Sequence, residues 1–213
     1  YIQVKKMANY KTEQEEFWAG SFGDHYIDRN KSDQILASNL NFFSKALNQI
    51  GKFKSCIEFG ANIGMNMKAL KLLFPGVNCK GIEINSTAAE QLGEVIGKEN
   101  VVNDSIFDYD VKEQCELSFI KGVLIHINPD MLQDVYQKLY DASSRYILIG
   151  EYYNPAPVAI NYRGHEDRLF KRDFAGEFMD KFSNVKLVDY GFAYRRDNAF
   201  PQDDITWFLL EKK

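Results

Sequence analysis

Strand-like and helix-like segments alternate through the middle of this chain, and this order limits the possible folds more than any other feature of the sequence. Patterns typical of buried strands cover residues 54–59, 77–84, 100–103, 117–120 and 146–149. Helical spacing of apolar residues covers 65–73, 87–96 and 131–142. Strands that alternate with helices of this length are joined by right-handed crossovers into a parallel sheet with helices on both faces. The sequence therefore predicts a doubly wound α/β domain.

The C-terminal part departs from this alternation. A helical pattern at 174–182 is followed by two strand-like runs, 186–194 and 205–210, with no helix between them. Such a pair predicts that the last strand inserts antiparallel to its neighbours. We therefore predict a Rossmann-like, mostly parallel seven-stranded sheet with an antiparallel last strand. An N-terminal segment and helical cap over 1–50 and a main domain over 51–213 are expected to form one folding unit.

Composition excludes several classes of protein. Hydrophobic residues make up 45% of the chain and charged residues 26%, as in folded globular domains rather than disordered chains. No apolar run approaches the ~18 residues that would cross a bilayer, and polar residues follow Lys5 and Lys6 where a secretory signal would be apolar. We therefore expect a cytoplasmic protein without a membrane partner. A formal net charge of -4 also disfavours nucleic acid as a partner.

Three cysteines, Cys56, Cys79 and Cys115, are far apart in the sequence and embedded in apolar or strand-like stretches. Their odd number and their spacing favour buried free thiols over a disulfide or a zinc site. We therefore expect no metal in this protein.

A glycine-bounded loop, residues 58–64, follows the first predicted strand. Ligands of open α/β sheets bind beyond the carboxyl ends of the strands, and Gly60 and Gly64 allow a tight turn that lets the backbone approach a ligand. Dinucleotide-binding loops carry a glycine where this chain has Asn62. Glu58 would also repel a diphosphate, whereas it suits the ammonium group of S-adenosylmethionine (SAM). The loop therefore favours SAM over a nicotinamide dinucleotide.

The ends of the later strands carry residues that suit the rest of SAM. Glu83 ends the second strand about 20 residues beyond the loop, where a carboxylate can accept both ribose hydroxyls. Asp104 and Ser105 follow the third strand, the position from which a carboxylate usually meets the adenine amino group, although Asp-Ser is also ordinary turn chemistry. Lys121 and Gly122 follow the fourth strand, and the backbone there is expected beneath the methyl-donating sulfur.

The N-terminal stretch is too rich in aromatic residues for a free tail, so we expect it to fold over the cofactor as a lid. Arg29 would reach the SAM carboxylate, and Tyr26 is a candidate for substrate binding. Packing inside the cap is the alternative for Trp18. The predicted cofactor-binding residues are Trp18, Arg29, Glu58, Gly60, Asn62, Gly64, Glu83, Ile84, Asp104, Ser105, Ile106, Lys121 and Gly122.

Seven segments spread over the chain carry a resemblance to a known family. They are residues 12–20, 23–30, 57–64, 121–129, 151–155, 162–165 and 201–204. Together they resemble the pseudaminic acid biosynthesis-associated methylases, and the likeness extends from Thr12 to Lys213. The glycine loop is shared by many methyltransferases, whereas the N-terminal segment and residues 151–172 are specific to this group.

The resemblance implies a bacterial class I SAM-dependent methyltransferase that modifies nonulosonic acids, the sialic-acid-like sugars of flagella and surface glycans. Its most concrete implication is N-methylation of the acetamidino group of a legionaminic or pseudaminic acid derivative, carried as a CMP-activated sugar. O-methylation of a related sugar, SAM binding without methyl transfer, and a nicotinamide enzyme remain alternatives.

Three residues that follow the fourth and fifth strands are candidates for catalysis: His126, Glu151 and Tyr153. An amidine is mostly protonated near neutral pH, so a proton must leave before its nitrogen attacks a methyl group. We predict that His126 acts as a general base or orients the substrate, and that Glu151 holds the cationic amidine. A structural role in an apolar stretch is an equal alternative for His126.

Tyrosines after the fifth strand are candidates for substrate binding. Tyr152, Tyr153 and Tyr162 would surround a cationic nitrogen, since cations favour aromatic faces, or would pack at the rim of the site.

Basic residues follow in the same region. Arg163, His165 and Arg168 concentrate positive charge that would receive a sugar carboxylate or a nucleotide phosphate. The alternative is a solvated loop in which Glu166 and Asp167 balance this charge.

Overall fold

The structure is a computed structural model that describes residues 10–27, 31–162 and 165–213, with the backbone alone at residues 25–26, 161–162 and 165–168. Its α-helices are α1 Glu13–Ala19, α2 Ser21–Ile27, α3 Asp33–Ala46, α4 Met65–Leu73, α5 Ser86–Ile96, α6 Leu132–Ala142 and α7 Phe174–Lys181. Its strands are β1 Ser55–Phe59, β2 Asn78–Ile82, β3 Val101–Val102, β4 Cys115–Lys121, β5 Ser143–Glu151, β6 Val158–Tyr162, β7 His165–Lys171, β8 Val185–Ala193 and β9 Ile205–Lys212.

Seven of the strands form one sheet in the order β3-β2-β1-β4-β5-β9-β8. The pairs from β3 to β5 are parallel, whereas β9 runs antiparallel to both β5 and β8. The predicted mostly parallel sheet with an antiparallel last strand is therefore confirmed. The strand order reverses between β1 and β4, which places the switch point of the sheet at the carboxyl ends of these two strands.

Each face of the sheet packs against helices. One core cluster contains Phe43 of α3, Leu70 of α4 and Leu117 of β4, and the other contains Tyr136 of α6 and Phe178 of α7. Alternate residues of β4 and β5 belong to the two clusters, as expected for strands that are buried on both faces. This packing explains why the central strands are continuous apolar runs in the sequence.

Two features near the site differ from the sequence-based expectation. Residues 158–171 contain an antiparallel pair, β6 and β7, where no strand was predicted. The charged residues of β7 had indicated a solvated loop, but a two-stranded ribbon at a surface can carry charge on both strands. Helix α6 begins at Leu132, because Pro129–Met131 forms a short 3-10 turn that is capped by Asn128.

All three cysteines are buried and free, as predicted. Cys56 and Cys79, although distant in sequence, are direct partners on β1 and β2, and their sulfurs lie 3.6 Å apart. Over the described ranges, no helix has the length and apolar character needed to cross a membrane.

Candidate functional site

A cavity of about 230 Å³ lies at the switch point of the sheet. Its walls come from the loops after β1, β2, β3 and β4 and from residues of helices α1, α2 and α3. Ligands of open α/β sheets bind at this position. The cavity is therefore the candidate functional site.

The loop after β1 reaches the cavity because of its glycines. Gly60, Asn62 and Gly64 have φ angles of 77°, 46° and 82°, the left-handed region that glycine adopts without strain and asparagine tolerates. A Cβ on Gly60 would lie 2.6 Å from the side chain of Val123, and one on Gly64 would lie 2.8 Å from Leu92. Gly60 and Asn62 line the cavity, whereas Gly64 lies behind it and lets α4 start close to α5.

Glu58 of β1 is fully buried behind this loop. Its Oε1 accepts a hydrogen bond of 2.5 Å from the side chain of Asn66, and its Oε2 has no partner among the described residues. Burial raises the pKa of Glu58 to about 8, although the Asn66 hydrogen bond and the charge of Lys121 oppose the shift. Glu58 does not line the cavity itself, but Asn66 and Lys121 do.

Glu83 follows β2 and lines the cavity with a carboxylate that is 8% exposed. Its Oε2 accepts from the backbone N–H of Asn62 at 2.7 Å, and its Oε1 accepts from that of Asn85 at 2.8 Å. Burial raises the pKa of Glu83, and backbone hydrogen bonds from Asn85, Asn62 and Ile84 oppose the shift. Because each carboxylate oxygen has two lone pairs, the fixed carboxylate can also accept hydrogen bonds from a ligand.

The loop after β3 contributes Ser105, Ile106 and Phe107 to the cavity. Asp104, predicted to contact the cofactor, is exposed and is not among the lining residues. A buried carboxylate does lie here, but it comes from Glu15 of α1, which accepts a hydrogen bond from the Ser105 hydroxyl. No sequence pattern indicates this contact. Thr12 and Glu15 have capping-box spacing, but this spacing does not say which part of the sheet the helix covers.

Lys121 ends β4 and places a cationic side chain in the cavity wall. Its ammonium lies 3.4 Å from Asn39 Oδ1 and 5.1 Å from the centre of the Phe42 ring. Burial lowers the pKa of Lys121, while the carboxylates of Glu58, Asp203 and Glu151 act in the opposite direction. The next residue, Gly122, also lines the cavity and donates its N–H to the Gly150 carbonyl at 2.9 Å.

His126 lies in the 3-10 turn Leu124–His126 and lines the cavity. Its ring centre is 4.8 Å from that of Trp18, which also lines the cavity from α1. The structure thus brings helix α1 and the segment after β4 together at this histidine.

Glu151 does not face the cavity, contrary to the expectation that it meets the substrate. It is 2% exposed, and its carboxylate accepts from the backbone N–H groups of Val123, Leu124 and Ile125 at 3.0, 2.9 and 3.4 Å. Burial raises its pKa to about 7, and these hydrogen bonds oppose the shift. Its carboxylate is therefore engaged in fixing the turn that carries His126.

The other predicted residues are less closely tied to the cavity. Neither Tyr152 nor Tyr153 lines the cavity. Tyr153 is 42% exposed, and its ring centre lies 6.0 Å from that of Phe208. The ring of Tyr152 lies beneath the ammonium of Lys171. Ile84 lines the cavity. Six further residues predicted to bind the cofactor or the substrate lie outside the described residues or have side chains that are not described: Tyr26, Arg29, Tyr162, Arg163, His165 and Arg168.

Solved structures share this architecture. One is the 1,6-didemethyltoxoflavin-N1-methyltransferase of Burkholderia thailandensis, with bound 1,6-didemethyltoxoflavin and S-adenosylhomocysteine (SAH). The TM-score is 0.73 and the sequence identity 13%, and the match covers 100% of this chain and 98% of that one. The fold is that of a class I methyltransferase. No protein-family model and no curated protein matches the sequence.

Two further structures show how varied the proteins with this fold are. The magnesium protoporphyrin IX methyltransferase of Synechocystis, with bound SAM, has a TM-score of 0.63 and 11% identity over 97% of this chain and 100% of that one. A glycopeptide N-methyltransferase has a TM-score of 0.60 and 11% identity over 83% and 95%. At such identities the likeness concerns the fold, and the substrate must be argued from the site.

Proposed function

We propose that this protein is a SAM-dependent methyltransferase. The observation that carries the proposal is the carboxylate of Glu83, fixed by two backbone N–H groups beside a glycine-bounded loop at the switch point of the sheet. Similar structures that hold SAM or SAH support the same cofactor here. Asn62, at a position where dinucleotide-binding loops carry glycine, argues against a nicotinamide cofactor.

The residues present fit the amino-acid end of SAM. Glu58 has a buried oxygen without a partner, and a buried carboxylate is stabilised by a neighbouring positive charge such as an ammonium group. Asn66 links Glu58 to the cavity wall, and Lys121 would pair with the carboxylate of the cofactor. Gly60 lets the loop pass close to Val123, whose side chain a Cβ at this position would meet.

The residues on the other side of the cavity fit the adenosine end. The remaining lone pairs of Glu83 would accept the ribose hydroxyls. Ile84, Ile106 and Phe107 would pack against the adenine ring, and Trp18 would cover the site and exclude water.

SAM supplies a methyl group on a sulfonium sulfur, which is already a good leaving group. The protein therefore acts mainly by aligning the acceptor with the methyl group. His126, beyond Gly122 in the cavity wall, would take the proton that the acceptor loses. For Glu151 we propose a positioning role, because its carboxylate holds the turn that carries His126.

As the acceptor we propose the acetamidino nitrogen of a legionaminic or pseudaminic acid derivative, in its CMP-activated form. The resemblance of the sequence to methylases of nonulosonic acid biosynthesis supports this choice, and two neighbours in structure are named as N-methyltransferases. On the substrate side we place Tyr26, Tyr152, Tyr153, Tyr162, Arg163, His165 and Arg168.

Cofactor binding is tested by isothermal titration of the purified protein with SAH. We expect micromolar binding by the wild-type protein and a loss of about tenfold or more in Glu83→Gln, which removes a charged acceptor of the ribose hydroxyls. Glu90→Gln, an exposed glutamate on α5, is the matched control and should bind SAH normally. Wild-type protein that binds NAD and shows no binding of SAH would contradict the proposal.

Methyl transfer is tested by mass spectrometry of CMP-activated and free nonulosonic acids incubated with the protein and SAM. The expected product gains one methyl group on nitrogen. His126→Ala should lower turnover by roughly 10²–10⁴-fold while the affinity for SAH stays close to that of the wild type. Binding of SAH without turnover of any of these sugars would contradict the proposed substrate, and a methyl group on oxygen would reassign the acceptor atom.

A further inference from the structure

The side chain of Glu15 makes an unusual contribution to the cavity. It is 7% exposed and lines the cavity, whereas Glu13 and Glu16 on the same short helix are exposed to solvent. A carboxylate is costly to bury unless it is hydrogen-bonded. The role of Glu15 therefore has to be sought in the groups that surround it.

Three donors hold this carboxylate in place. Its Oε2 accepts from the backbone N–H groups of Lys11 at 2.6 Å and Thr12 at 3.0 Å, and its Oε1 accepts from the hydroxyl of Ser105. An ionised carboxylate offers about four acceptor positions. Among the contacts of the described residues, a position on Oε1 remains for a donor from a ligand.

Ser105 fixes the direction of this contact. Its hydroxyl oxygen accepts from the backbone N–H of Phe107 at 3.0 Å, so its proton is directed to Glu15. The same loop is tied to the ribose side of the cavity, because Asn103 donates to the carbonyl of Glu83 at 2.8 Å. Glu15 thus lines the cavity against the loop after β3, which also contributes Ile106 and Phe107 to the lining.

Asp104, the carboxylate of this loop that was predicted to contact the cofactor, does not line the cavity. Asp104 is exposed, and its Oδ1 accepts from the backbone N–H of Ser105 at 2.8 Å. It caps its own turn and leaves the cavity wall to Glu15.

We propose that Glu15, delivered by the N-terminal helix α1, recognises the exocyclic amino group of the cofactor's adenine in place of Asp104. This inference rests on the proposed function, because it assumes that the cavity holds SAM. Its consequence is that adenine recognition requires α1 to lie against the loop after β3, where Lys11 also pairs with Asp108 at 2.6 Å. Selection of the base is then coupled to the placement of α1.

The test compares SAH with S-inosylhomocysteine, in which an oxygen replaces the 6-amino group of adenine, by isothermal titration. The wild-type protein should prefer SAH. In Glu15→Gln the affinity for SAH should fall by about tenfold, because one charged hydrogen bond is lost, while the affinity for S-inosylhomocysteine should hold or improve, since an amide can donate to the new oxygen. Glutamine is also accepted at this capping-box position, so α1 should still form.

Two further variants complete the comparison. Glu16→Gln makes the same change on the exposed side of α1 and should leave both affinities unchanged. Asp104→Asn tests the alternative carboxylate and should keep the preference for SAH.

Equal weakening of both ligands in Glu15→Gln would indicate a structural role alone and overturn the inference, as would a loss of the preference in Asp104→Asn. Failure of the wild-type protein to bind SAH would overturn the proposed function together with this inference. Normal SAH binding by Glu15→Gln would overturn the inference only.

Discussion

At the scale of single residues, the carboxylate of Glu58 links the site to the stability of the fold. Its pKa of about 8 in the folded protein lies above that of an unfolded glutamate, so the folded state binds more protons between the two values. The stability that this difference contributes is fully present below the unfolded pKa and is lost as the pH rises through the folded pKa. Glu83 and Glu151, whose pKa values are also raised, act in the same direction.

We therefore predict that the free energy of unfolding of the ligand-free protein decreases between about pH 5 and pH 9, and that Glu58→Gln decreases less. Each unit of pKa difference corresponds to ~1.4 kcal/mol, so the two curves should lie close together at low pH, where both side chains are neutral, and separate as the pH rises. Urea unfolding at a series of pH values measures this. Glu90→Gln, at the surface, should follow the wild-type curve, and a Glu58→Gln curve that stays parallel to the wild type would contradict the assignment.

At the scale of elements, the 3-10 turn Leu124–His126 depends on a side chain from the neighbouring strand. Turns of this kind leave backbone N–H groups without partners, and Glu151 of β5 accepts three of them in a buried position. The sequence predicted that Glu151 contacts the substrate, whereas in the structure it holds this turn. A carboxylate at the end of a central strand suits a catalytic role and a structural role equally well, and only the burial of its two oxygens distinguishes them.

We predict that Glu151→Gln lowers the free energy of unfolding by ~1–3 kcal/mol, because an amide has one acceptor oxygen and turns a donor toward buried N–H groups. Turnover should fall with it, while SAH affinity changes little, since Glu151 does not line the cavity. Urea unfolding and steady-state kinetics measure the two effects. Glu94→Gln on α5 is the exposed control, and a Glu151→Gln protein with wild-type stability would show that the turn does not need this carboxylate.

At the scale of the whole molecule, the alternation of strands and helices was sufficient to predict the sheet. Apolar runs such as β4 and β5 are readable because both faces of these strands are buried, and the loops after parallel strands must meet at one edge. The sequence therefore located the wall formed by Gly60, Glu83 and Lys121, all of which follow or end strands.

Contacts between segments that are distant in sequence were not predictable in this way. Glu15 reaches Ser105 across 90 positions of the chain, and nothing in the local pattern of α1 indicates which loop it covers. The pairing of Cys56 with Cys79 was predictable only in part. The sequence indicates that β1 and β2 are neighbouring strands, but not the register that makes these two cysteines direct partners. Strand β7 carries too many charged residues to be predicted as a strand from an apolar pattern, and its partner β6 was missed with it.

The cavity is bounded by both the sheet and the helical cap, so a bound ligand should stabilise the molecule as a whole. Free SAH at a hundred times its Kd should add ~2.7 kcal/mol to the free energy of unfolding and raise the Tm by ~5–10 °C for a protein of this size. Thermal unfolding followed by circular dichroism, with and without SAH, measures the shift. NAD at the same concentration should leave the Tm unchanged, because Asn62 stands where dinucleotide-binding loops carry a glycine. A Tm that rises with NAD and not with SAH would show that the cavity holds a dinucleotide.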